Sequence, residues 1–131
     1  MPYAINKGVK TYYEVTGEGP DFLMLHANPC DHRMWMYQVA FFSRRFRVIA
    51  TDMRGYGRTD KPEDPYGFEA LAEDAFAVCD QENITGGIIA GASMGSKIAF
   101  KMVLKRPGLF QAMIHVGGNA YRGTSYDDRA A

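Results

Sequence analysis

Ser93 stands in Gly91-Ala92-Ser93-Met94-Gly95, a G-x-S-x-G pattern between an apolar run and a helical period. A serine so placed can attack a carbonyl carbon, provided a histidine takes its proton and an acid orients that histidine. The two glycines suit this use, because the serine must perch on a tight turn and side chains at 91 and 95 would collide with the neighbouring strand and helix. The turn also leaves the Met94 N–H at the start of a helix, aimed at the space above Ser93. There, helped by the positive helix end, it would stabilise a developing oxyanion. The same five residues also fit a plain Gly-rich turn whose serine caps the helix.

Two other loops are rich in residues that do chemistry. His26-Ala27-Asn28-Pro29-Cys30 follows an apolar run at 22–25, and Asp52-Met53-Arg54-Gly55-Tyr56-Gly57-Arg58-Thr59 follows another at 46–50. His32 reads as a surface residue at the start of a helix, and His115, flanked by apolar residues, as a satisfied core histidine. Cys30 and Cys79 are far apart and have no metal-ligand spacing, so Cys30 reads as a loop-lining residue. Neither a metal nor an organic cofactor is implied.

The elements that must position these residues are legible from pattern. Residues 3–6 and 9–16 alternate polar with β-branched or aromatic residues around Lys7-Gly8, which predicts a hairpin. Four runs, FLMLHA, FRVIATD, GGIIAGAS and QAMIHVGG, are continuously apolar at strand length, as in strands covered on both faces. Helical periods separate them. Residues 31–43 put Trp35, Val39 and Phe42 on one face with Asp31 as N-cap. Phe68, Leu71, Ala72, Ala75, Phe76 and Cys79 follow i, i+3, i+4, i+7, and a last helix runs from Ser93 to about Lys105, before Arg106-Pro107-Gly108. The expected fold is α/β: a three-layer, doubly wound, mostly parallel sheet with an antiparallel N-terminal hairpin.

The chain has 131 residues, 47% of them apolar, enough for one domain with a real core and too few for two. Fifteen basic residues balance fifteen acidic ones, which argues against nucleic acid or an anionic membrane as partner and leaves a small molecule or another protein. No apolar run approaches membrane-spanning length, and the N-terminus lacks the layout of a signal peptide. Isolated thiols fit a reducing compartment, so the expected location is the cytoplasm.

Taken together in this order, the loop at 26–29, the Asp52-x-Arg54-Gly55-x-Gly57-x-Thr59 loop and the G-x-S-x-G turn resemble the α/β-hydrolase family, over nearly the whole chain as far as Asn119. The resemblance implies that Ser93 is the nucleophile of an ester, lactone or related acyl hydrolase. It also implies that Met94 and Asn28 supply the oxyanion N–H groups, and that His26 and Pro29 are structural, with Asn28-Pro29 a candidate cis peptide. The resemblance further implies that Asp52, Arg54, Gly91 and Gly95 brace the site. Ala27 stands where the family has glycine and Thr59 where it has serine; the first would shift the loop if that position needs a positive φ.

In the family the acid and histidine follow the serine in chain order. Beyond QAMIHVGG only Asn119 to Ala131 remain, and no histidine follows Asp127 and Asp128. The expectation is one partial α/β-hydrolase domain over residues 1–131, without the C-terminal strands, the lid or the two triad partners. Those partners would come from outside the chain. Alternatively the chain is an inactive, self-associating or binding protein, or a fragment of a longer hydrolase. In either case the last strand should leave an exposed sheet edge, which a homo-oligomer would cover.

Overall fold

The computed structural model describes residues 3–117. Strands β1 (Tyr3–Asn6) and β2 (Val9–Thr16) form an antiparallel hairpin. Its turn residues Lys7 and Gly8 both have positive φ, 48° and 86°, the kind of turn whose twist matches that of the strands it joins. Four further strands follow: β3 (Asp21–Leu25), β4 (Arg47–Thr51), β5 (Gly87–Ala92) and β6 (Phe110–Val116). The sheet order is β1-β2-β4-β3-β5-β6. β2 runs antiparallel to β4, and β4, β3, β5 and β6 are parallel to one another. This is the mixed α/β sheet that the patterns predict.

The apolar runs are explained by burial on both faces. Leu23, Leu25, Ile49 and Ile89 join a core with helices α2 (Phe68–Gln81) and α3 (Met94–Lys105). Their sequence neighbours Phe22, Met24, Val48 and Ala90 point the other way, onto Trp35, Val39 and Phe42. No residue of these central strands can be polar without facing one core or the other. Helices therefore cover both faces, and the parallel strands end at a common level, with Leu25 in register with Thr51 and with Gly91. His26, Asp52 and Ser93 follow within two residues of that level, at the carboxyl edge where open α/β sheets place their sites.

Two expectations need correction. The helix over 31–43 is a 3-10 turn, His32–Trp35, followed by a short helix α1, Met36–Phe42. Asp31 caps the turn as expected, its side chain accepting from the Arg33 N–H, but the main-chain N–H of His32 goes to Asp52 and ties the first turn to another loop. β6 is covered on one face only: Met113 packs toward the helical core, while Ala112, Ile114 and Val116 are exposed. Among the described residues β6 pairs with β5 alone.

Candidate active site

The turn at Ser93 holds an unfavourable backbone. Ser93 has φ 51° and ψ −109°, well outside the regions open to an ordinary L-residue, and its side chain makes no capping hydrogen bond. Such a conformation persists only where surroundings over-determine it. Here the Ser93 N–H donates to the Val116 carbonyl at 3.0 Å, and the Ser93 carbonyl accepts from the N–H groups of Ser96 and Lys97. The flanking glycines are required by space. A Cβ on Gly91 would stand 2.3 Å from the Gly95 carbonyl oxygen, and one on Gly95 would stand 2.2 Å from that of Leu25. Close approach of β5, α3 and β3 thus dictates both residues, and Ser93 itself is exposed above them. Met94 opens α3, whose leading N–H groups have no partner within the helix.

The loop after β3 begins with His26, which is completely buried. Its Nε2 lies 2.8 Å from the Met53 nitrogen and must accept that N–H, so Nδ1 carries the proton and donates to the Ala27 carbonyl at 2.9 Å. Burial pushes its pKa below the ordinary histidine value, against the opposing pull of the Ala27 carbonyl. A neutral imidazole in one fixed tautomer is a strut, not a base. The Asn28-Pro29 peptide is cis, as anticipated, and both residues are exposed. The Asn28 side-chain oxygen accepts from the Tyr56 hydroxyl at 2.7 Å, and the Tyr56 ring stands edge-on to His26. Ala27 is not among the residues with positive φ, so its replacement of glycine strains nothing.

Asp52 is the anchor of the second loop. Its fully buried carboxylate accepts three N–H groups: the His32 main chain and the His32 Nδ1 on Oδ1, each at 2.7 Å, and the Arg58 main chain on Oδ2 at 2.9 Å. A Cβ at Gly57 would lie 2.1 Å from Oδ2, so this approach needs glycine. The Thr59 hydroxyl donates to the Asp52 carbonyl and accepts from the Tyr12 N–H, which keeps the function of the expected serine. Arg54 forms a two-pronged pair with buried Asp74, both contacts at 2.8 Å. That pairing raises the Arg54 pKa.

His32 departs from its reading as a surface residue. Its side chain is 13% exposed, held by Asp52 on one nitrogen, with Glu14 3.4 Å from the other. The pattern missed this because Asp52 is remote in sequence; the clue was a buried acid needing donors. Asp31, His32 and Asp52 bring possible metal-ligand atoms within 4.8 Å of one another. Asp52 is already engaged by His32 and Arg58. The Asp31 carboxyl is pushed down to about 2, chiefly by the Arg33 side chain that binds it. A cation here would have to strip both carboxylates of these partners.

His115 is half-buried rather than in the core, and its Nδ1 lies 2.6 Å from the hydroxyl of fully buried Ser96. Each of the three histidines therefore has a partner other than Ser93. Asp127 and Asp128 lie outside the described residues. Cys79 is free and buried, its thiol pushed up to about 12 by burial, and Cys30 is free and partly buried. Among the described residues no helix is long and apolar enough to cross a membrane.

Ser93 thus lies strained between a parallel strand and a helix, in a G-x-S-x-G turn flanked by the loops after β3 and β4. A family model of the alpha/beta hydrolase fold matches residues 20–129, and the chain belongs to that family. It is 36% identical over 101 residues to the AB hydrolase superfamily protein YisY of Bacillus subtilis, covering 76% of this chain and 38% of that protein. It is 33% identical over 112 residues to epoxide hydrolase 3 of Siraitia grosvenorii, covering 83% and 35%. Among solved structures, Est816, described as an N-acyl homoserine lactone degrading enzyme, superposes with a TM-score of 0.87 at 32% identity, covering 89% of this chain and 45% of that one. The chain thus spans less than half the length of these relatives.

Proposed function

We propose that Ser93 is the nucleophile of a hydrolase acting on an ester, a lactone or a related acyl substrate. Its hydroxyl attacks the acyl carbon, and the N–H groups of Met94 and Asn28 receive the negative charge that develops on the carbonyl oxygen. The histidine that takes the serine proton and the acid that orients it come from outside the described residues. The observation that carries this reading is the Ser93 backbone: φ 51° on a non-glycine residue, held by the Val116 carbonyl, is strain at an exposed hydroxyl with no capping duty. A plain helix cap has no need of it.

Chemistry favours acyl transfer over the epoxide opening named for one relative. A serine oxygen that opens an epoxide forms an ether, which water does not cleave under mild conditions, whereas an acyl-serine ester is readily hydrolysed. The test is turnover of an activated p-nitrophenyl ester by a longer polypeptide that carries this chain together with the histidine and the acid, and by its Ser93→Ala variant, with an aryl epoxide as comparison. The ester should be hydrolysed only by the polypeptide with Ser93, and the epoxide by neither. Equal ester turnover by both proteins would overturn the proposal.

A second reading has its own support, in β6. Ile114 and Val116, 44% and 47% exposed, line a strand with one free edge among the described residues. On this reading two copies pair through β6 and extend the sheet, and Ser93 does no chemistry. It predicts a dimer by light scattering that Ile114→Lys disrupts, with no ester turnover.

A further inference from the structure

The last two residues of β6 reach the nucleophile turn by different routes. The Val116 carbonyl takes the Ser93 N–H, while Nδ1 of His115, one residue earlier and in register with Gly91, is hydrogen-bonded to the hydroxyl of Ser96. Ser96 lies one turn behind the nucleophile, and its own N–H donates to the Ser93 carbonyl at 3.0 Å. The first turn of α3 is therefore held to β6 at both ends, by a main-chain bond at Ser93 and a side-chain bond at Ser96.

The side-chain bond is specific. Ser96 is completely buried with His115 in place, so a replacement that fills the same space without a polar atom leaves its hydroxyl without this partner. The imidazole also packs against the Phe100 ring on the same helix, with the ring centroids 5.9 Å apart. At 2.6 Å the contact is short even for a hydroxyl hydrogen bond. Nothing in a plain strand-to-helix turn calls for a histidine on the strand beside it. Here the turn stores strain at Ser93, and a second tie just behind it resists relaxation of that strain by movement of the helix.

We propose that His115, acting through Ser96, is a positioning residue: it holds the first turn of α3 so that the Met94 N–H stays aimed above the Ser93 hydroxyl. This rests on the reading of Ser93 as nucleophile. His115 touches no reacting atom, and its effect is on the geometry of the oxyanion donor and on persistence of the strained serine.

Exchange is read on the 131-residue chain, and labelling on a longer polypeptide that carries it together with the histidine and the acid. Two readouts are taken: amide hydrogen exchange at Ser93 and Ser96, and the rate at which a fluorophosphonate labels Ser93. His115→Phe keeps a ring and removes the hydrogen-bonding nitrogen; Ser96→Ala removes the hydroxyl; His115→Asn returns a polar atom near the place of Nδ1. The two deletions should each speed exchange and slow labelling about tenfold, the scale of one lost hydrogen bond. His115→Asn should recover most of both. If the residues act through one bond, the double variant should be no worse than the poorer single. Exchange and labelling unchanged in His115→Phe would overturn the proposal, as would a failure of His115→Asn to recover either. A parent polypeptide that does not label, while the chain shows the exchange effects, would retain the clasp but remove the nucleophile it is proposed to serve, which overturns the catalytic role.

Discussion

Gly95 lies so close beneath Leu25 that an added Cβ would be 2.2 Å from the Leu25 carbonyl oxygen. The contact joins α3 to β3 directly beside the loop that starts at His26, so the Ser93 turn and that loop are separated by a helix–strand contact too tight for any side chain. Neither Gly91 nor Gly95 has positive φ; the requirement is for volume, not for backbone freedom. Gly95→Ala must push α3 off the sheet. The loss should be about 3 kcal/mol or more, at the upper end of overpacking effects, measured as a fall in the urea midpoint. Gly108→Ala, where a Cβ meets nothing within 4 Å, is the control and should be near neutral.

Asp52 allows a sharper test than simple deletion. Both of its oxygens accept N–H donors, so in Asp52→Asn one oxygen becomes an NH2 group that faces a donor whichever way the amide turns. Leaving buried donors unpaired costs about 1–3 kcal/mol for each group. Asp52→Asn should therefore destabilise by about 2 kcal/mol and Asp52→Ala by more, read from chemical denaturation. His32→Phe removes only one of the three donors and should cost less than either.

His26 gives a pH dependence whose sign is fixed. Its pKa in the fold is lowered from 6.5, so between the folded and unfolded values the unfolded chain binds more protons. The stabilisation is full above pH 6.5 and is lost as pH falls through the lower folded value. Stability should decline on acidification with a contribution of at most about 1.4 kcal/mol per pH unit from this one group. Denaturation midpoints from pH 8 to pH 4 should show the decline, and His26→Asn should flatten it. Equal slopes in the two proteins would show that another group is responsible.

The sequence made the fold legible because burial on both faces keeps the middles of β3, β4 and β5 apolar: Phe22 to Leu25 and Val48 to Ala50 can be read as strands without partners being known. The glycines at 91 and 95 and the cis Asn28-Pro29 bond were also legible, each tied to a local motif. What escaped was every tie between distant segments. His32 looked like a surface residue until Asp52, twenty positions on, was seen to hold it. His115 looked like core until Ser96 was found beside it on a half-covered strand. A helix period at 31–43 also hid a 3-10 turn, because the pull of Asp52 on its first N–H is not a local property.

The central claim is that Ser93 is a nucleophile. The direct measurement is intact-mass analysis, after fluorophosphonate treatment, of a longer polypeptide that carries this chain together with the histidine and the acid, with peptide mapping of the adduct. The account predicts one phosphonyl group per polypeptide, carried on Ser93 within the peptide that spans Gly91 to Lys97, and none on Ser93→Ala. An unmodified polypeptide, or an adduct on any other residue, would contradict it.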